Sequence, residues 1–133
     1  MPFIRITIVG PTVEAEQIRH LQQGTTELMV SMMRKPIEGV AVLVEQVTHG
    51  GWTIAGSRVS VAAHVEATIA LGSNTHDEKA QFMAAMWALL RSALGPDLRE
   101  ETYIVFHELD TRVYGRGGLT RAERDRRGQT AGV

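Results

Sequence analysis

A chain of 133 residues, 44% hydrophobic and 22% charged, has the size and composition of one compact soluble domain. Fourteen Lys plus Arg against fifteen Asp plus Glu leave a formal charge of -1, which argues against a broad nucleic-acid surface. The absence of Cys excludes disulfides and thiolate chemistry, and no stretch nears the roughly 18 apolar residues of a membrane span. The start Met1-Pro2-Phe3-Ile4-Arg5-Ile6-Thr7 has no charged n-region and no unbroken apolar run, so the expected location is cytoplasmic.

In chain order, Phe3 to Val9 carries β-branched residues with partial alternation and reads as a strand. Gly10 and Pro11 break it, and Thr12 is a candidate N-cap for a helix with Ile18, Leu21, Thr25, Leu28 and Met32 at helical spacing. Pro36 bars its continuation. Val40 to Val47 is a nearly unbroken apolar run, the pattern of a strand covered on both faces or buried at a subunit contact. His49-Gly50-Gly51 marks a turn before a short segment around Trp52.

Val65 to Leu71 is the next strand. Thr75-His76-Asp77-Glu78 then has the pattern of a capping box, in which Thr and Glu side chains satisfy free helix N–H groups. Phe82, Ala85, Met86, Leu89, Leu90 and Ala93 make the buried face of this second helix, and Gly95-Pro96 ends it. Thr102 to Leu109 is a return strand. From Thr120 onward apolar periodicity stops, which predicts a short solvated helix and a polar tail.

The order repeats. Gly10 and Gly72 each close an apolar run, sixty-two positions apart, and the same offset relates Trp52-Thr53-Ile54-Ala55-Gly56 to Tyr114-Gly115-Arg116-Gly117-Gly118. The fold class is therefore α+β. Two tandem β-α-β units, about 2–59 and 60–120 with 121–133 as tail, form one domain with a four-stranded mixed sheet and two helices on one face. The other sheet face is expected to be apolar and open, and copies of the same chain would bury it in a cyclic oligomer.

Pro2 directly after Met1, the strand Phe3 to Val9 and the doubled strand-to-hairpin segments resemble the tautomerase superfamily. The likeness is to its long, fused 4-oxalocrotonate tautomerase-like form and spans roughly residues 2 to 120. The resemblance implies a homotrimer in which an N-terminal proline, on the floor of an apolar pocket, moves protons between carbon and oxygen. It also implies a tautomerase or isomerase acting on a small oxo acid or carbonyl compound, with no cofactor, no metal, no nucleic acid and no membrane partner. An α-amino group titrates near about 7.7–8.0, and burial lowers that further, so one amine can serve as base or acid. His64 stands at the position that the sixty-two-residue offset matches to Pro2, so one working site per chain is expected.

The family's paired arginines are missing, since Gly72-Ser73-Asn74-Thr75 and Gly10-Pro11-Thr12 stand there, with Ala41 and Tyr103 at a third position. This disfavours a doubly charged substrate. The candidates left for binding are Arg116, whose guanidinium can hold a carboxylate bidentately, Tyr103 for polarising a carbonyl, Tyr114 as pocket wall and Asn74 as a hydrogen-bond donor. Arg5 is read as a contact residue and Trp52 as packing. His107 and Glu108 point to opposite faces of a strand and cannot share one site. The histidines show no metal-ligand spacing. Gly115-Arg116-Gly117-Gly118 lacks the lysine of a phosphate loop and reads as a hairpin. The competing readings are a hydratase- or dehalogenase-like lyase in which Pro2 activates water, and a non-catalytic oligomer.

Overall fold

The computed structural model describes residues 2–47 and 50–128; Met1, His49 of the expected turn and the last five residues of the tail lie outside it. The elements run β1 (Phe3–Val9), α1 (Ala15–Ser31), a 3-10 turn (Ile37–Gly39), β2 (Ala41–Val47), β3 (Thr53–Ile54) and β4 (Ser57–Arg58). They continue with β5 (Ala62–Ala70), α2 (His76–Leu94), β6 (Tyr103–Leu109), β7 (Gly115–Arg116), β8 (Leu119–Thr120) and α3 (Arg121–Arg126). The sheet order is β2-β1-β5-β6, with parallel pairs β1–β2 and β5–β6 joined by an antiparallel β1–β5 pair. This is the α+β arrangement of a mixed four-stranded sheet and two helices that the sequence predicts.

Alternation along the central strands explains the packing. Ile4, Ile6 and Ile8 of β1, and Val65, Ala67 and Ile69 of β5, point to the helices and are buried. Against them lie Leu21, Thr25 and Met29 of α1 and Phe82, Met86 and Leu90 of α2. Burying one side chain the size of Ile6 or Leu90 contributes about 1.5–3 kcal/mol. Phe82 also meets Phe106 edge-on, with ring centroids 5.4 Å apart.

Local chemistry sets the helix ends. The predicted box is present on α2: Glu78 N–H donates to Thr75 Oγ1 at 3.1 Å and Thr75 N–H to Glu78 Oε1 at 2.9 Å. On α1 the cap is Glu14, not Thr12; its N–H donates to Gln17 Oε1 at 2.7 Å. A longer capping side chain reached by a glutamine three residues on does the work that Thr12 was expected to do. Both hairpins turn through two consecutive positive-φ residues, Ala55-Gly56 (φ 53° and 78°) and Gly117-Gly118 (φ 60° and 80°), the pattern that fits the twist of paired strands.

The repeat is offset in two steps. The buried positions Leu21, Thr25 and Met29 recur sixty-one residues later at Phe82, Met86 and Leu90, whereas β2 and β6 and the hairpins are sixty-two apart. Phe3 pairs with Ala41 as His64 pairs with Tyr103. His64 is therefore the counterpart of Phe3, and Ala63 is the counterpart of Pro2. A one-residue slip flips a strand's faces, so the sequence match of His64 to Pro2 is corrected. Ala63 is fully buried, and its N–H donates to Thr102 Oγ1 at 3.1 Å.

The open sheet face also differs from the apolar surface expected. Arg5 pairs with Glu45, Thr7 Oγ1 donates to the same carboxylate, and Glu66 meets His107 at 2.8 Å. Phe3, Leu43 and Tyr103 remain exposed around this polar centre. β2 is an edge strand with Leu43 and Val47 partly exposed, so within one chain it is not covered on both faces.

Candidate active site

Pro2 is buried at the entry to β1, where its carbonyl accepts from Ala41 N–H at 3.1 Å. It borders a cavity of about 210 Å³ shared with Phe3, Gly39, Ala41, Tyr114, Gly115 and Arg116. The second hairpin reaches this place because β5 runs antiparallel to β1. Phe3 lies opposite Thr68, and the Tyr114 hydroxyl donates to the Thr68 carbonyl at 3.1 Å. That bond makes the ring a wall. A side chain at Gly115 would collide with the backbone of Leu119 and Thr120, so only glycine lets β7 and β8 close this tightly beside the cavity.

Of the residues singled out in the sequence, Pro2, Tyr114 and Arg116 are brought together. Arg116 is exposed and lines this cavity, and its carbonyl accepts from Arg124 Nη2 at 3.0 Å, which ties the hairpin to α3. Tyr103 is elsewhere. It lies on edge strand β6 opposite His64, which is itself opposite Thr7, toward the other end of the sheet from Pro2. At 66% exposure it takes no part in the cavity of its own chain. Asn74 is buried and ties two elements together, its amide donating to the Met33 carbonyl and to Glu78 Oε1, both at 3.1 Å. It stands beside the site and does not line it.

Lys35 was not singled out in the sequence. It is 4% exposed, and its Nζ donates to Ser73 Oγ at 3.0 Å at the Pro2 end of the sheet. Burial first, then the positive charges of Arg121 and Arg34, bring its pKa down to about 8. Its sequence signal, a lysine before Pro36 at a helix end, reads equally as a solvated helix-terminal cation. Arg121 is likewise buried, paired with Asp125 at 3.1 Å, where a solvated tail was expected. Tyr114 titrates above the ordinary phenol value because it is buried, with Arg121 opposing the shift.

Comparison with known proteins decides the family. The Tautomerase family ("Tautomerase enzyme") matches residues 2–62. Over 60 residues the chain is 35% identical to a Dickeya dadantii (strain 3937) protein described as a probable tautomerase, K2, covering 45% of this chain and 90% of that one. The chain belongs to the tautomerase family. This tautomerase is thereby an isomerase-type enzyme, and its fold is that of the fused members. It superposes on Pt0534 inactivated by 2-oxo-3-pentynoate with a TM-score of 0.81 at 16% identity, covering 91% of this chain and 98% of the other. A wild-type symmetric trimer of fused 4-OT gives 0.76 at 17% identity, covering 89% and 94%. Among the described residues of this tautomerase, no three His, Asp or Glu side chains are grouped to hold a metal ion, and no helix is long and apolar enough to cross a membrane.

Proposed function

We propose that Pro2, freed by removal of Met1, is the acid and base of a keto–enol tautomerase acting on a small oxo acid or related carbonyl compound. The observation that carries this reading is a buried Pro2 on the cavity it shares with Tyr114 and Arg116. A secondary amine there is close to neutral pH in its intrinsic pKa, and burial favours its uncharged form. The uncharged amine takes a proton from carbon, and the resulting ammonium returns it to oxygen or to the neighbouring carbon. Arg116 holds the substrate carboxylate and fixes the distance over which the proton moves.

The chain works as a homotrimer, which the trimeric fused 4-OT of the same fold supports. In it Tyr103, exposed at the edge of the sheet, serves the pocket of a neighbouring copy by donating to the substrate carbonyl. Asn74 keeps the end of α1 and the start of α2 in register behind the pocket. The test is ketonisation of the enol of a small 2-oxo acid. Pro2→Ala is expected to lower the rate about 100-fold or more, the range that a positioned general base supplies. Unchanged turnover in that variant removes Pro2 from the mechanism.

A further inference from the structure

The two hairpins are held down by different chemistry. In the first, Trp52 and Ile54 pack against a small apolar cluster of Val9, Val59 and Ala62. In the second, Gly115-Arg116-Gly117-Gly118 offers no apolar side chain between Tyr114 and Leu119. Strands of two residues each, as β7 and β8 are, are marginal by themselves, and three glycines add to the entropy that ordering them costs. Polar ties take the place of packing, from β5 on one side and α3 on the other. The Tyr114 hydroxyl donates to the Thr68 carbonyl at 3.1 Å. Arg124 donates to the Arg116 carbonyl through Nε at 3.3 Å and through Nη2 at 3.0 Å. Its guanidinium lies so near the turn that a Cβ at Gly117 would come within 2.6 Å of Nη2.

α3 can brace the hairpin because it is itself fixed. Thr120 Oγ1 caps it by accepting from Glu123 N–H at 3.0 Å. Arg121 N–H donates to the Tyr114 carbonyl at 2.7 Å, and Ala122 N–H donates to the Thr111 carbonyl at 3.0 Å. The buried Arg121 side chain pairs with Asp125. The place of Arg124 is thus set by the base of the same hairpin whose far strand it holds. Arg124 does not itself border the cavity that Arg116 shares with Pro2.

We infer that Arg124 is a positioning residue: from α3 it holds the backbone of Arg116 at the Pro2 cavity, and with the Tyr114 hydroxyl it sets how firmly that site binds a carboxylate. The inference rests on the reading that Arg116 binds the substrate. A guanidinium grips a carboxylate by two parallel bonds, so its affinity depends on direction. A loosened hairpin spreads Arg116 over geometries that do not bind, and the ordering is then charged against binding. The loss falls on binding, while Pro2 keeps its proton-transfer step.

The experiment is steady-state kinetics on the enol of a small 2-oxo acid with trimeric, Met1-processed protein. Arg124→Met is expected to raise KM about three- to tenfold with kcat little changed, the loss that one broken polar tie can cause. Arg124→Lys, which keeps one donor, is expected to recover part of it. In an Arg116→Met background the same Arg124→Met change is expected to add nothing, because the group it positions is gone. Tyr114→Phe keeps the ring and removes the hydroxyl; it is expected to raise KM in the same way, and it decides the matter should Arg124→Met not fold. An unchanged KM in the folded variant, or an equal rise in KM with and without Arg116, overturns the inference. A silent Arg124→Met beside an Arg116→Met with raised KM sinks this inference alone. An Arg116→Met with unchanged KM sinks the reading beneath it and takes this inference with it.

Discussion

On the proposed reading, Arg116 separates holding the substrate from moving its proton. A charge-assisted hydrogen bond from a guanidinium contributes roughly 1.5–3 kcal/mol, so Arg116→Met is expected to raise KM by about ten- to hundredfold. Because the bond is present before and during proton transfer, kcat changes much less. Steady-state kinetics on a 2-oxo acid enol checks this, and an unchanged KM takes Arg116 out of the binding site. Single-residue signals in the sequence differed in strength for physical reasons. The placement of Pro2, Tyr114 and Arg116 was legible because a proline directly before the first strand and a repeated hairpin fix their places along the chain. Lys35 and Arg121 were not, since a sequence gives a lysine before a proline and an arginine in a charged run no mark of burial. Tyr103 was placed by the repeat as the counterpart of Ala41, but an offset along the chain does not say that it sits far from Pro2 within one chain.

At the scale of elements, the join between α1 and α2 is where charge and structure meet. Arg34 holds Glu78 from α1, while Thr75 and Asn74 hold the same carboxylate from the turn before α2. Together they bring the Glu78 pKa down to about 2, with the Arg34 bond the largest cause. A carboxylate with a depressed folded pKa adds stability that is present above its unfolded value, near about 4.3, and is lost as pH falls toward 2. The wild-type melting temperature is therefore expected to fall through that window more steeply than that of Glu78→Gln. Parallel curves from thermal denaturation at pH 5, 4 and 3 would contradict the assignment. The box itself was legible, because Thr-x-x-Glu before an apolar run has one geometry. Which residue capped α1 was not, since Thr12 and Glu14 both precede the helix and only the position of Gln17 selects between them. The one-residue difference between the helix offset and the hairpin offset was hidden as well, because Gly10 and Gly72 agree with the hairpins and not with the faces of the strands.

At the scale of the molecule, β2 and β6 are the free edges of the sheet, and Leu43 and Tyr103 are exposed along them. Unpaired edges of this kind are covered when copies close a ring, and two different free edges suit a head-to-tail contact. Alternation in the strands revealed the two faces, but it could not show that Arg5, Glu45, Glu66 and His107 would join across four strands into one polar centre. The account turns on Pro2 carrying a free amine inside such an assembly. Native mass spectrometry of the purified protein, followed by dissociation to single chains, tests both parts at once. The prediction is three copies, each lighter by one methionine; chains that retain Met1 would leave the Pro2 nitrogen in an amide and contradict the mechanism.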